Sequence, residues 1–369
     1  MTTYILPIEP LVERYTESWY NNIPSLFDGD VVTIDGETLQ DTVVVGTFLD
    51  INSTSHYKNS QMRTVARMFN DGKIKSGDVF WISDLEFWGI EALRLLADMN
   101  KVSIKIFAFL HAASYTREDA FAIAAPYQKF TEVGWVAMCD AVFVGSYYHK
   151  KAFCQRRLYL LPQAEYTSLM SKIIVSGNPL FAQDYPVINV ERKNQIVISN
   201  RFDSEKRPMD SLSLALTYKR EVDPSVNIIV TTSRKTFTSN DPKLVARAKQ
   251  LESQGLITIY EAQTKLQYYT HLAESKAMIT NSIEEMFGYC PVEAMIYGCA
   301  PVMPATCSHP ELVLQKTKYL FDPDDFSDQM NTLRAVTQSD NSEDLKECTT
   351  YHFSANSVLR LKMEEVCNS

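Results

Sequence analysis

The stretch that decides the reading is NSIEEMFGYCPVEAMIYGCAPVMP, residues 281–304. A short apolar run, KAMIT (276–280), leads into it and reads as a buried strand. The loop that follows carries Glu285, Phe287 and Gly288. Pro291 then opens a helix, where a missing N–H costs nothing, and Gly298 closes it before the strand APVMP (300–304). This succession predicts Glu285 at the carboxyl end of a parallel strand and Glu293 in the first turn of the next helix. Ligands of open α/β sheets bind at that edge. Two carboxylates on either side of a loop-to-helix junction can meet two different hydroxyl-bearing groups of one ligand, while N–H groups at a helix start suit phosphate. The simpler reading is a capped helix with two solvated acids. The embedding E-x-F-G-x-x-x-x-E-A-x-x-x-G-x-x-P-V is far more specific than an isolated pair of glutamates.

Outward from this stretch, short apolar runs alternate with helical patterns along most of the chain. TYIL (3–6), TVVVG (42–46), DVFWIS (78–83), SIKIFAFL (103–110) and AVFVG (141–145) read as strands, being β-branched or aromatic and ending at turn-forming residues. Between them lie helix-like stretches such as GIEALRLLADMN (89–100), with Ile90, Leu93, Leu95, Leu96 and Met99 as its apolar positions. A polar, proline-bearing stretch, AQDYPVINVERKN (182–194), reads as a hinge, after which QIVIS (195–199), VNIIVTT (226–232) and ITIY (257–260) restart the series. Alternation of this kind predicts largely parallel sheets covered on both faces. The expected domains are 1–185, 186–345 and a terminal helical segment, 346–369, with Leu359, Leu361, Met363 and Val366 on one side and able to pack back on the first domain.

Bulk properties agree with two globular domains. The 369 residues are 45% apolar and 22% charged. No run approaches the ~20 consecutive apolar residues of a membrane helix, and no basic leader opens the chain, so a cytoplasmic address and no membrane insertion are expected. Seven scattered cysteines without a CxxC pair indicate neither a zinc site nor a disulfide framework. A net charge of −9 excludes non-specific coating of nucleic acid but leaves room for a local basic groove. His149, Lys150, Lys151, Arg156 and Arg157 form one such group, for which a solvated helix face is the simpler reading. The Asp28/Asp30 and Asp322/Asp324 pairs read as a turn and a helix start, so no catalytic metal is expected.

The 281–304 stretch resembles the nucleotide-binding signature of the retaining glycosyltransferases with the GT-B fold, two Rossmann-like domains facing across a cleft. Glu285-Met286-Phe287-Gly288 matches the E-G-F-G element, with Met286 in place of glycine, and Glu293-Ala294-Met295 through Gly298, Pro301 and Val302 match the rest. The resemblance implies that Glu285 holds sugar hydroxyls of a nucleotide-diphosphate sugar, that Glu293 holds ribose hydroxyls, and that the backbone at Phe287 and Gly288 meets sugar and diphosphate. QIVISNRFDSEKRPMDSLSLA (195–215) resembles the segment in which an arginine and a lysine, here Arg201 and Lys206, grip the diphosphate. Fixed cations there stabilise the charge of a departing nucleoside diphosphate and can do the work of a divalent metal. His111 matches a histidine placed near the donor sugar, although a lone histidine is more often structural. In CDAVFVGSYYHKKAF (139–153), Ser146 is the expected N-cap of a helix.

The chain departs from the family after its first strand, where PIEPLVERYTESWY (7–20) lacks the usual glycine-rich loop. Glu9, Arg14 or Tyr15 is expected to replace that contact. This opening resembles glycosyltransferase-like proteins of bacteriophages, some of which sugar-coat hydroxymethylated bases in viral DNA. The expected activity is therefore retaining transfer from a nucleotide sugar, UDP-linked by expectation, to a hydroxymethylpyrimidine in DNA. Lys150 and Lys151 join Arg14 on the acceptor side. A glycan or lipid-linked acceptor is the rival within enzymes. An epimerase-like or non-catalytic nucleotide-sugar-binding protein is the rival outside transfer.

Overall fold

The computed structural model describes residues 1–39, 51–116 and 127–368. The strand expected at 42–46 lies outside them. The chain divides into two compact units, Met1–Phe181 with Ser354–Ser369, and Ala182–Phe353.

The first unit is built on six parallel strands: β1 (Thr2–Leu6), β2 (Asp30–Thr33), β3 (Val79–Ile82), β4 (Lys105–Leu110), β5 (Ala141–Val144) and β6 (Ile173–Val175), in the order β2-β1-β3-β4-β5-β6. Register is set by apolar partners, Tyr4 opposite Phe80 and Phe107 opposite Ala141. The inner strands β3 and β5 are buried along their whole length, the pattern of a sheet covered on both faces. β2 was not legible because its DVVT run is half-exposed at the edge and follows the Asp28-Gly29-Asp30 turn. In the helix Ile90–Met99 the buried residues are Ile90, Leu93 and Ala97, while Leu95 and Met99 face solvent.

The terminal segment is two helices, Ser342–Phe353 in the second unit and Ala355–Asn368 in the first. Leu359 and Met363, one turn apart, enter the first unit's core beside Ile5, Trp19, Phe109 and Phe143. Leu361 points the other way and is exposed. Asn356 brackets Leu180, accepting from its N–H at 3.2 Å and donating to its carbonyl at 2.7 Å. Gly177 adopts a left-handed φ of 79°, and a Cβ there would come within 2.9 Å of the Ala355 Cβ, so only glycine fits under this helix.

The second unit carries β7 (Gln195–Ile198), β8 (Asn227–Thr231), β9 (Thr258–Tyr260), β10 (Ala277–Ile279), β11 (Ala300–Pro304) and the two-residue β12 (Leu320–Phe321). Their order is β12-β11-β10-β7-β8-β9, again all parallel. The stretch 182–194, which reads as a linker in composition, is strapped to this unit. Lys193 pairs with Glu274 at 2.6 Å, Arg192 donates to the Tyr297 carbonyl at 3.1 Å, and the Tyr185 ring lies 5.7 Å from Tyr269.

Leu359→Ala should destabilise the first unit by about 2–5 kcal/mol, because a fully buried side chain leaves a cavity against rigid aromatic rings. Urea unfolding of the whole chain, followed by tryptophan fluorescence, checks this. An unchanged midpoint would mean that the terminal helix is not integral to that core.

Candidate functional site

In the second sheet the chain runs outward from β7 to β8 and β9, then returns to place β10 on the other side of β7. The loops after β7 and β10 therefore leave the sheet side by side at the reversal of strand order, the position where open α/β sheets admit a ligand. These two loops are 199–207 and 280–288, and they carry Arg201, Lys206 and Glu285.

The first loop closes in a single 3₁₀ turn, Ser204–Lys206. Asp203 anchors it, accepting from the Asn240 N–H at 2.9 Å and from Arg234 at 3.4 Å. Arg207 takes a left-handed φ of 45° and Pro208 starts the next helix, so Lys206 is turned back over the sheet edge. Its ammonium lies 2.8 Å from Glu285 Oε2 and donates to Ser282 Oγ at 3.2 Å. A backbone bond from the Ile283 N–H to the Glu205 carbonyl, 3.1 Å, ties the two loops together. Arg201 is about half-exposed and pairs with Glu205 at 2.9 Å.

Gly288 precedes the helix Tyr289–Ile296 with φ at 97°, and a Cβ there would meet Leu312 Cδ1 at 3.1 Å and Glu285 Cγ at 3.2 Å. The glycine thus lets the Glu285 side chain fold against the backbone. Ser308 Oγ sits 2.9 Å from the carbonyls of both Glu285 and Phe287 and holds the loop from behind. The helix begins two residues earlier than its proline suggests, so Pro291 is its third residue, still within the turn whose N–H groups have no helical partner. Met286 and Phe287 point inward and are buried, and the Phe287 ring meets His352 edge-on.

The two acids differ in environment. Burial raises the Glu285 carboxyl, but the Lys206 ammonium, His309 and Arg201 outweigh it and hold the group below its ordinary value. Burial pushes Glu293 from 4.5 up to about 7, against the opposing pull of Lys265 and the hydroxyls of Tyr268 and Tyr269. Those hydroxyls donate to Glu293 Oε2 at 3.1 Å and Oε1 at 3.3 Å. Lys206 and Glu285 are thus brought into contact, Arg201 acts on Glu285 through space, and Glu293, on the helix that follows, is held by Tyr268 and Tyr269 instead. His309, fully buried near Glu285 and Lys206, and the two tyrosines were not found from sequence. Isolated histidines and tyrosines carry no spacing signal.

In the first unit the order reverses between β1 and β3, and the polar residues cluster there too. Glu9, buried after β1, accepts from Ser53 Oγ at 2.9 Å and Thr54 Oγ1 at 3.3 Å. Asp84, just beyond β3, forms a buried pair with Lys58 at 2.7 Å. His111 follows β4, with Nε2 2.9 Å from the Ser83 carbonyl and its ring packed among Tyr15, Trp19 and Phe109. The carbonyl contact places the proton on Nε2, and burial lowers the ring's pKa, so the imidazole is neutral with Nδ1 as an acceptor. Arg14 is the residue before the helix Tyr15–Asn22 and is partly buried.

The basic group on the helix Tyr147–Arg157 is mostly turned inward. His149 is buried against the Tyr115 hydroxyl, Lys150 donates to the Ile173 carbonyl at 2.6 Å, Arg156 to the Tyr115 carbonyl at 2.9 Å, and Arg157 pairs with Glu132 at 2.5 Å. Lys151 is exposed. Ser146 Oγ accepts from the His149 N–H at 3.0 Å as the N-cap. Among the described residues no cluster of three or more His, Cys, Asp or Glu is placed to hold a metal ion, and no helix is long and apolar enough to cross a membrane.

Two parallel α/β units of this kind, with GT-B glycosyltransferases among the solved structures of like fold, are consistent with GT-B architecture. Residues 184–351, nearly the whole second unit, match the family Glycosyl transferases group 1. A sucrose-phosphate synthase from Thermosynechococcus elongatus superposes with a TM-score of 0.65 at 12% identity, covering 100% of this chain and 98% of that one. An UDP-forming α,α-trehalose-phosphate synthase from Burkholderia xenovorans gives 0.63 at 10% identity, with the same coverage. A chain of the GtfA/B complex gives 0.58 at 14% identity over 84% of this chain, which spans only 61% of that one. No curated protein matches the sequence. The match is thus of glycosyltransferase type over the second unit, with a shared fold over the whole chain.

Between pH 4.5 and about 7 the folded chain holds a proton on Glu293 that the unfolded chain has lost, so this group's contribution to stability falls as pH rises through that interval. Glu293→Gln removes that titration. Melting temperatures measured from about pH 5 to about pH 8 should decline less steeply for the variant than for the native protein. Parallel profiles would contradict the raised value.

Proposed function

We propose that the protein transfers a sugar from a nucleoside-diphosphate donor to an acceptor hydroxyl, with retention of anomeric configuration. The observation that carries this reading is the Lys206–Glu285 contact at 2.8 Å beside Arg201, at the reversal point of the second sheet. As the sugar–phosphate bond lengthens, negative charge grows on the leaving diphosphate. Lys206 and Arg201 stabilise it in this reading, and no metal is invoked. Glu285, held ionised by Lys206, accepts hydrogen bonds from sugar hydroxyls, and Glu293 takes those of the ribose. The neutral His111 offers Nδ1 to a further hydroxyl.

A uridine donor is favoured because the trehalose-phosphate synthase of like fold is named as UDP-forming. The acceptor hydroxyl attacks on the face the diphosphate leaves, and the departing phosphate takes its proton, so no protein nucleophile is required. For the acceptor, the opening segment points to a hydroxymethylpyrimidine in DNA. A duplex needs an open cationic rim, and Lys150, Arg156 and Arg157 are committed to internal acceptors, which favours a glycan hydroxyl.

Incubation with a panel of nucleotide sugars and with hydroxymethylated DNA, unmodified DNA or glycan acceptors, read by mass shift, tests the assignment. One sugar mass should appear on one acceptor class. Lys206→Ala should lower kcat by about 10²–10³-fold, the scale of losing one group that stabilises developing charge. Donor loss without any acceptor gain would point instead to epimerase-like or hydrolytic chemistry. Unimpaired turnover in Lys206→Ala would overturn the placement of the diphosphate.

A further inference from the structure

Among the described residues, the side-chain hydrogen bonds to the Glu293 carboxylate come from one helix. Tyr268 and Tyr269 are neighbours on the helix Lys265–Glu274, yet each hydroxyl reaches a different oxygen of the same acid, 3.1 Å to Oε2 and 3.3 Å to Oε1. Tyr269 is fully buried, its ring stacked on Tyr297 at 4.8 Å and within 5.7 Å of Tyr185, so its hydroxyl has little freedom to swing away. Burial also pushes both phenols above their ordinary value, so both are donors at neutral pH.

An ionised carboxylate has roughly four acceptor positions, two on each oxygen. With one on each oxygen taken by a tyrosine, one on each remains. In the ionised form that remaining pair can accept from two hydroxyl donors of one ligand. Without the tyrosines the terminal torsion of a glutamate is broad, and the plane of its acceptors is not defined.

We propose that Tyr268 and Tyr269 are positioning residues that set the plane of Glu293 so that it reads a cis-diol, the 2′,3′-hydroxyls of the donor ribose. This rests on the assignment of Glu293 to the ribose made above. It assigns to the tyrosine pair the discrimination between a ribonucleotide and a nucleotide lacking that diol. The acid alone supplies the acceptors, and the pair supplies their direction.

Calorimetric titration of the whole protein with UDP and with 2′,3′-dideoxy-UDP tests it. The native protein should bind UDP more tightly than the dideoxy compound. Tyr268→Phe, at a half-buried position where the ring packing is kept, should weaken UDP by roughly five- to tenfold and leave the dideoxy compound within about twofold. Tyr269→Phe should do the same, and with both changed the two ligands should converge in affinity. Equal weakening of both ligands would show a merely structural role and overturn the proposal, as would UDP binding unaffected by either substitution. If the native protein bound the two ligands equally, Glu293 would not be reading the diol, and the assignment beneath the proposal would fall with it.

Discussion

When every strand of a sheet runs the same way, all strand-to-helix loops leave from one edge, and only where the strand order reverses do neighbouring loops diverge enough to admit a ligand. Both units obey this constraint, with reversals between β1 and β3 and between β7 and β10. The chemistry-bearing residues follow it closely. Arg201, Lys206 and Glu285 sit on the loops flanking one reversal, and Glu9 and Asp84 sit on those flanking the other, with His111 on the next loop along. Neither set is local in sequence, so the sheet order brings each one together.

The electrostatics at these two places have a common form. Lys206 with Glu285 and Lys58 with Asp84 are paired charges withdrawn from water, an arrangement whose desolvation cost can match its Coulombic gain. Apolar residues of similar volume would serve stability as well. Each pair holds charge and hydrogen-bonding groups in one geometry, and under the proposed transfer the Lys206–Glu285 pair would lower the reorganisation needed in the transition state. Glu293 shows the opposite solution, an acid raised by burial and stabilised by neutral hydroxyls in place of a contacting cation.

Much of the fold was legible because buried parallel strands are short, dense apolar runs. DVFWIS, SIKIFAFL, QIVIS and APVMP each coincide with a strand to within one or two residues. The edge strands β2 and β12 were not, since DVVT alternates with solvent exposure and Leu320–Phe321 is too short to carry a period. Lys206 and Glu285 were legible through their surroundings: a proline that starts a helix after one, and after the other a glycine whose φ no other residue adopts cheaply. Lys58, Asp84, Tyr268, Tyr269 and His309 were not. Their significance comes from partners found across the sheet edge or on a neighbouring helix, and nothing in their own neighbourhood of sequence marks it.

The helix Ala355–Asn368 completes a core whose other members begin at residue 5. A nascent chain leaves the ribosome from its amino end at roughly 5–20 residues per second. Leu359 and Met363 emerge only after the entire second unit, closed by Phe353. Until then Ile5, Trp19 and Phe109 lack the apolar contacts that Leu359 and Met363 supply. The core of the first unit is therefore discontinuous in sequence, closed by side chains as far apart along the chain as Ile5 and Met363.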